Sequence, residues 1–141
     1  MITQTLTTSF KVGLLLGEFS FASAVLTRYK IALYSSTANL NADTTVYTTT
    51  GEITGTGYVA GGKYITPTIA TSSGTTAYVS FSDTSWTGAS FTAAGALIYD
   101  TTQANASIAV LSFGGNKTPG NGTFTIQFPA NTSTTAIIRI A

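Results

Sequence analysis

Five carboxylates, Glu18, Asp43, Glu52, Asp83 and Asp100, carry nearly all the acid–base chemistry open to this sequence. Histidine and cysteine are both absent from its 141 residues. That removes the commonest general base, the commonest transition-metal ligand, and the serine–histidine and cysteine–histidine nucleophile systems. A glycosidase needs two carboxyl groups facing each other across a cleft. Asp83 and Asp100 are the pair that a folded sheet could bring together. Their contexts point elsewhere: Ser82-Asp83-Thr84 reads as a turn, and Asp100 ends a strand before Thr101-Thr102, so turn and capping roles are expected. Asn39, Asn41 and Asp43 have the alternating spacing that begins a calcium loop, but no acidic residue closes it at the right distance. The glycine-rich stretch Gly51–Gly62 lacks the lysine–hydroxyl ending and following helix of a phosphate-cradling loop. No catalytic, cofactor-binding or metal-ligating residue is assigned, and a protein that is not an enzyme is expected.

Tyr29, Tyr34, Tyr47, Tyr58, Tyr64, Tyr78 and Tyr99 are spread over the chain, and Trp86 and Tyr99 flank Phe91. Exposed tyrosines on a β surface can stack on sugar rings or fill interfaces. Core and sheet-surface packing is the commoner use, and Trp86, between Thr/Ser turns, reads as a core plug. A lysine–asparagine cross-link would need a buried acid beside the pair, and no spacing points to one.

Charged residues make up only 8% of the chain, against about 25% in an ordinary soluble domain. Hydroxyls replace the missing charge: about a fifth of the residues are threonine, and mean hydropathy is +0.28. Threonine is β-branched, favours an extended backbone, and faces water without bringing charge. Such a surface packs against another protein without desolvating many ions, so a subunit of an assembly is favoured over a free-standing β domain. Net charge is +1 with basic residues scattered singly, which gives no footprint for nucleic acid. No apolar run is long enough to span a bilayer. Val12, Leu14, Leu15 and Leu16 follow Lys11 but are interrupted by Gly13, Gly17 and Glu18, so they read as a strand and not as a signal segment. Without secretion, the sequons at Asn105, Asn116, Asn121 and Asn131 are chance products of a Thr/Ser-rich chain.

The dominant pattern has period two. Tyr29, Ile31 and Leu33 alternate with Arg28, Lys30 and Ala32; Ala77, Val79 and Phe81 with Thr76, Tyr78 and Ser80; Phe124, Ile126 and Phe128 with Thr123, Thr125 and Gln127. Each predicts a half-buried strand. Ser107–Phe113 is apolar on both faces and predicts a covered central strand or one at a subunit interface; Ala96–Tyr99 and Ala136–Ile140 predict further strands. Glycines 51, 55, 57 and 61–62, Ser72-Ser73-Gly74 and the stretch Gly114–Gly122, with its Asn121-Gly122 pair, read as turns, and Pro129 as a strand end. The best helical candidate, Phe19–Leu26, is short, and no internal repeat is visible. The expectation is a single all-β domain over 1–141, an antiparallel β-sandwich of jelly-roll or immunoglobulin-like type without substantial helix. Residues 1–8 are expected as an edge strand or, slightly favoured, an extended N-terminal arm.

Several stretches together carry a resemblance. They are Lys30-Ile31-Ala32-Leu33-Tyr34-Ser35 with Asn41-Ala42-Asp43-Thr44-Thr45-Val46-Tyr47; Gly55-Thr56-Gly57-Tyr58 with Gly61-Gly62; and Trp86 through Phe91-Thr92-Ala93 to Gly95-Ala96-Leu97-Ile98-Tyr99. The closing Thr123–Pro129 and Ala136–Ala141 fit as well. Over nearly its whole length the chain resembles a family of small proteins encoded beside the head genes of tailed phages. Ala94 stands where that family is associated with a basic residue. The resemblance implies a virion structural protein on the capsid surface: a decoration or cement subunit, homo-oligomeric with a trimer favoured, partnered by the major capsid protein. A tail or fibre component binding host-surface glycan through tyrosines is the alternative, and a small glycoside hydrolase is a third reading. No nucleic-acid partner, membrane association or cofactor is expected.

Overall fold

The structure is a computed structural model that describes residues 1–22, 26–120 and 122–141. Among the described residues, ten strands and one helix follow each other: β1 (Thr5–Leu6), α1 (Thr8–Leu15), β2 (Tyr29–Tyr34), β3 (Lys63–Ile65), β4 (Thr71–Ser73), β5 (Thr76–Val79), β6 (Thr84–Thr87), β7 (Ala93–Asp100), β8 (Ala106–Lys117), β9 (Thr123–Ile126) and β10 (Ile138–Ile140). They form a five-stranded sheet in the order β1-β8-β7-β2-β3, a three-stranded sheet β10-β5-β4, and a two-stranded ribbon β6-β9. Every paired strand is antiparallel. The fold is all-β.

Both faces of the large sheet are covered. Tyr29, Ile31, Leu33, Ala96, Ile98 and Ile108 contribute to the main core, which continues into the aromatics of the smaller sheets and α1. Ala32, Tyr34, Leu97, Tyr99 and Val110 form a second core on the opposite face, closed by Ala38, Leu40 and the half-buried Ile2 and Tyr47. This explains why all eight residues of β7 are buried. It also corrects the alternation expected for β2, where Ala32, placed on the outer face, is fully buried. Ser107–Val110 in β8 is buried on both faces, as the unbroken apolar run predicts.

Three local expectations change. The run Val12–Leu16 is not a strand: its first part closes α1. Ser72 and Ser73 belong to β4, and the turn is confined to Gly74-Thr75. β8 continues through Gly114 and Gly115 to Lys117, so the glycine loop begins later than its composition suggests. Within residues 1–8, Thr5 lies opposite Val110 and Leu6 opposite Ala109 at the sheet edge, and Thr8 begins α1. Asn121, and the central part of the Phe19–Leu26 candidate, lie outside the described residues; the turn pair Asn121-Gly122 and that sequon are therefore not located. Phe19 and Phe21 pack in the core from a non-helical segment.

Candidate interaction surface

Helix α1 is short and stopped at both ends. Thr7, fully buried, caps it by accepting the Phe10 N–H on its Oγ1 at 3.3 Å. At the other end Gly17 takes a φ of 77°, donates to the Leu14 carbonyl, and lets Glu18 N–H reach the Gly13 carbonyl at 2.9 Å. These two bonds are the reverse turn that commonly ends helices on glycine. Thr7 and Gly17 were the signals in the sequence that could have revealed the helix.

The helix packs through Phe10 and the bare backbone of Gly13. A Cβ at Gly13 would sit 2.6 Å from the Phe19 ring, so only glycine permits this approach. The opposite side carries Val12, Leu15 and Leu16, which are 53%, 89% and 69% exposed. Apolar side chains thus point to water from a helix that would ordinarily present polar ones. Beside it runs an apolar groove of about 340 Å³ lined by Leu14, Phe19, Phe21, Ala77, Ile138 and Ile140. Ala77 was expected on the core face; it is exposed and lies in this groove. Ile69, 70% exposed, precedes Ala70 on the groove wall. Contiguous apolar surface of this kind marks association sites.

Tyr34, Tyr47, Tyr58 and Tyr99 are engaged elsewhere. Glu52 accepts hydrogen bonds from Tyr47 Oη and Tyr58 Oη, both at 2.6 Å, and from Gly61 N–H at 2.7 Å. Tyr58 Oη also accepts the Leu33 N–H, while Tyr99 donates to the Gly61 carbonyl and Tyr34 to the Thr48 carbonyl. One carboxylate therefore pins the 47–61 crossing onto the sheet. No sequence spacing announces this hub, because its partners come from irregular segments. Replacing Glu52 with alanine leaves two half-buried phenols and a backbone N–H without their acceptor, and a loss of about 2–3 kcal/mol in urea unfolding is expected.

Burial, first of all, raises the pKa values of five tyrosines: Tyr29 and Tyr99 are pushed up to about 12. Tyr34, Tyr47 and Tyr58 rise further, with the negative Glu52 adding to the effect of burial. A raised folded-state value means the native state holds its protons more tightly than the unfolded chain. The associated stability is complete below the unfolded value near pH 10 and is lost as pH climbs through the folded values. Urea midpoints are expected to be flat up to about pH 9 and to collapse between about pH 10 and 12, together with the rise of tyrosinate absorbance. Titration of these five tyrosines before any loss of structure would contradict this.

The two carboxylates considered for catalysis are separately engaged. Asp83 Oδ1 accepts the Phe128 N–H at 2.8 Å. Asp100, fully buried, accepts from Thr102 N–H and Oγ1 and forms an ion pair with Arg28 at 2.8 Å. The first two bonds are the capping role expected; the arginine was not foreseen. The hydrogen bond to Asp100 raises the Arg28 pKa, against the effect of its partial burial. Asn41 Oδ1 accepts the Asp43 N–H, a side-chain turn within the loop, and among the described residues no group of three acidic ligands could hold a metal ion. Trp86 is buried against Phe124 and Tyr58. Among the described residues no helix is long and apolar enough to cross a membrane. Compared with known proteins, the chain matches no family model, no curated protein and no solved structure.

Proposed function

We propose that the chain is a structural protein of a tailed-phage virion, a decoration or cement subunit that binds between major capsid subunits and opposes their separation. The observation that carries this reading is the outward-facing apolar side of α1 with its adjoining groove, on a surface otherwise poor in charge. A subunit held by many weak, uncharged contacts needs such a face and loses little by desolvating it. The likeness to proteins encoded beside phage head genes supplies the address. The finer architecture in this reading is a jelly-roll or immunoglobulin-like sandwich, with the smaller sheets packed across the large one. Assembly as a trimer on lattice symmetry points is its oligomeric counterpart. The glycan-binding alternative has less to work with, because only Tyr64 among the tyrosines is largely exposed, and the Lys30 ammonium lies 4.8 Å from its ring centroid.

Quantitative mass spectrometry of purified virions tests the assignment. Copy number on the scale of the head lattice is expected; particles without the protein would end the reading, and copies on the scale of a tail would move it there. A second prediction concerns the face itself. The double substitution Leu15→Ser, Leu16→Ser is expected to change stability by less than about 1 kcal/mol, since both side chains are exposed. It is expected to abolish binding to expanded heads in sedimentation assays. Retained binding would remove this face from the proposal.

A further inference from the structure

A second surface, on other strands, has a different chemistry. A cleft of about 520 Å³ lies between the later half of β8 and β9, and Leu111, Phe113, Phe124, Ile126, Phe128 and Ile137 line it. It shares Gln4, Leu111, Pro129 and Ile137 with a smaller cleft running on between β1 and residues 135–139. That cleft in turn shares Leu6, Ile137 and Arg139 with a third. Together they make one continuous trough.

The trough follows strand edges, not sheet faces. Side chains alternate along a strand, so a cleft over one face is lined by every second residue. Here consecutive residues line it: Thr123 to Pro129 from β9 onward, Leu111 to Phe113 in β8, and Gln4 to Leu6 around β1. Among the described residues β9 pairs only with β6, and β10 only with β5. Each has one open row of N–H and C=O groups. β9 itself, Thr123-Phe124-Thr125-Ile126, contains none of the charges or prolines that normally blunt an exposed edge. The adjacent part of β8 is splayed by a large bulge, because Ser112 faces Gly95 while Lys117 faces Ala93.

The charged side chains that line the trough are basic. Lys117 lines the first cleft and Arg139, whose Nη1 donates to the Thr134 carbonyl at 2.7 Å, lines the other two, and no aspartate or glutamate lines it among the described residues. A second copy of the chain is poorly equipped to fill it. Asp100 is buried, Glu52 and Asp83 are hydrogen-bonded within the fold, and Glu18 and Asp43 sit in a helix end and a side-chain turn. We infer that this trough receives an extended, carboxylate-bearing segment of another protein, which adds as a strand to the open edge of β9 between Lys117 and Arg139. Main-chain hydrogen bonds hold such a segment, and the flanking charges choose it. The inference stands independently of the virion reading, since it requires a partner of this chemistry and no particular particle.

The probe is an eight-residue peptide of alternating threonine and valine with an aspartate at each end, compared with its lysine-ended counterpart. Binding to the full chain is followed by amide hydrogen exchange and NMR shifts. With the aspartate-ended peptide, the alternate amides of 123–126 that are not bonded to β6 are expected to gain protection. The lysine-ended peptide is expected to bind at least about tenfold more weakly, and Lys117→Glu with Arg139→Glu to reverse the order. Both substituted residues are exposed, so the variant keeps the fold. Protection absent with both peptides, or equal with both, overturns the inference. Protection of the same amides in the protein alone, appearing with dimers in sedimentation, overturns it in favour of a second copy.

Discussion

Gly62→Ala is expected to yield no stably folded protein. Gly62 has a φ of 76°, and a Cβ there would fall 1.8 Å from the Ile31 carbonyl oxygen, 2.6 Å from its carbon and 2.8 Å from Ala32 Cα. All three atoms are backbone, and they belong to β2, which lies between β7 and β3 in a sheet covered on both faces. Side chains can swing aside; this strand cannot move without breaking its ladders to both neighbours. A loss above about 4 kcal/mol is expected, a large part of the 5–15 kcal/mol that holds a typical domain together. Gly74→Ala separates this from the simple cost of a left-handed residue. Gly74 has a φ of 58° but open space around it, so about 1–2 kcal/mol is expected. Urea midpoints and soluble yield measured for both variants decide the matter. A Gly62 variant as stable as the Gly74 variant would show that the chain over 59–62 does not press on β2 in this way.

Arg28→Ala carries the second large effect. The Asp100 carboxylate is fully buried, and Arg28 meets it through Nε at 2.9 Å and Nη2 at 2.8 Å. Removing the guanidinium leaves a buried anion with only the Thr102 hydrogen bonds to hold it, and about 3–5 kcal/mol of destabilisation is expected at neutral pH. Adding Asp100→Asn to the Arg28→Ala background removes the stranded charge and is expected to recover a substantial part of the loss. Denaturation of the single and double variants at neutral pH checks both statements. An Arg28→Ala protein with no loss of stability, or with no rescue by asparagine, would make the pair a surface contact only.

The strands most visible in the sequence are those with one wet face. β9 shows this best, because Phe124 and Ile126 point into the core while Thr123 and Thr125 point out. Alternation fails where both faces are covered, as at Ala32, because burial there comes from Ile2 and from the loop over residues 38–47 and leaves no local trace. Helix α1 was illegible for a different reason. Its apolar residues do not mark the buried side, so the run Val12–Leu16 mimics a strand. The residues that betray a surface for association are therefore the same ones that mislead the reading of local structure. The Asp100 cap follows from the Thr101-Thr102 that comes after it, but its arginine lies 72 positions away and the Glu52 hub depends on irregular loops. Long-range polar partners of this kind have no signature in a single sequence.

Thr7 and Ser107 join side chains that are 100 positions apart, beside the pairing of β1 with β8. The first strand of the large sheet thus has no partner until most of the chain has been made. On the ribosome, β1 must wait for β8, and β2, with β3 on one edge, must wait for β7 to cover the other. Folding is consequently late and governed by the slow closure of distant ends, as expected for chains dominated by non-local pairing. During that wait β2 and the unpaired β1 are available to chaperones and to neighbouring nascent chains. Yield in a cell therefore depends on synthesis rate and temperature as well as on the stability of the finished fold.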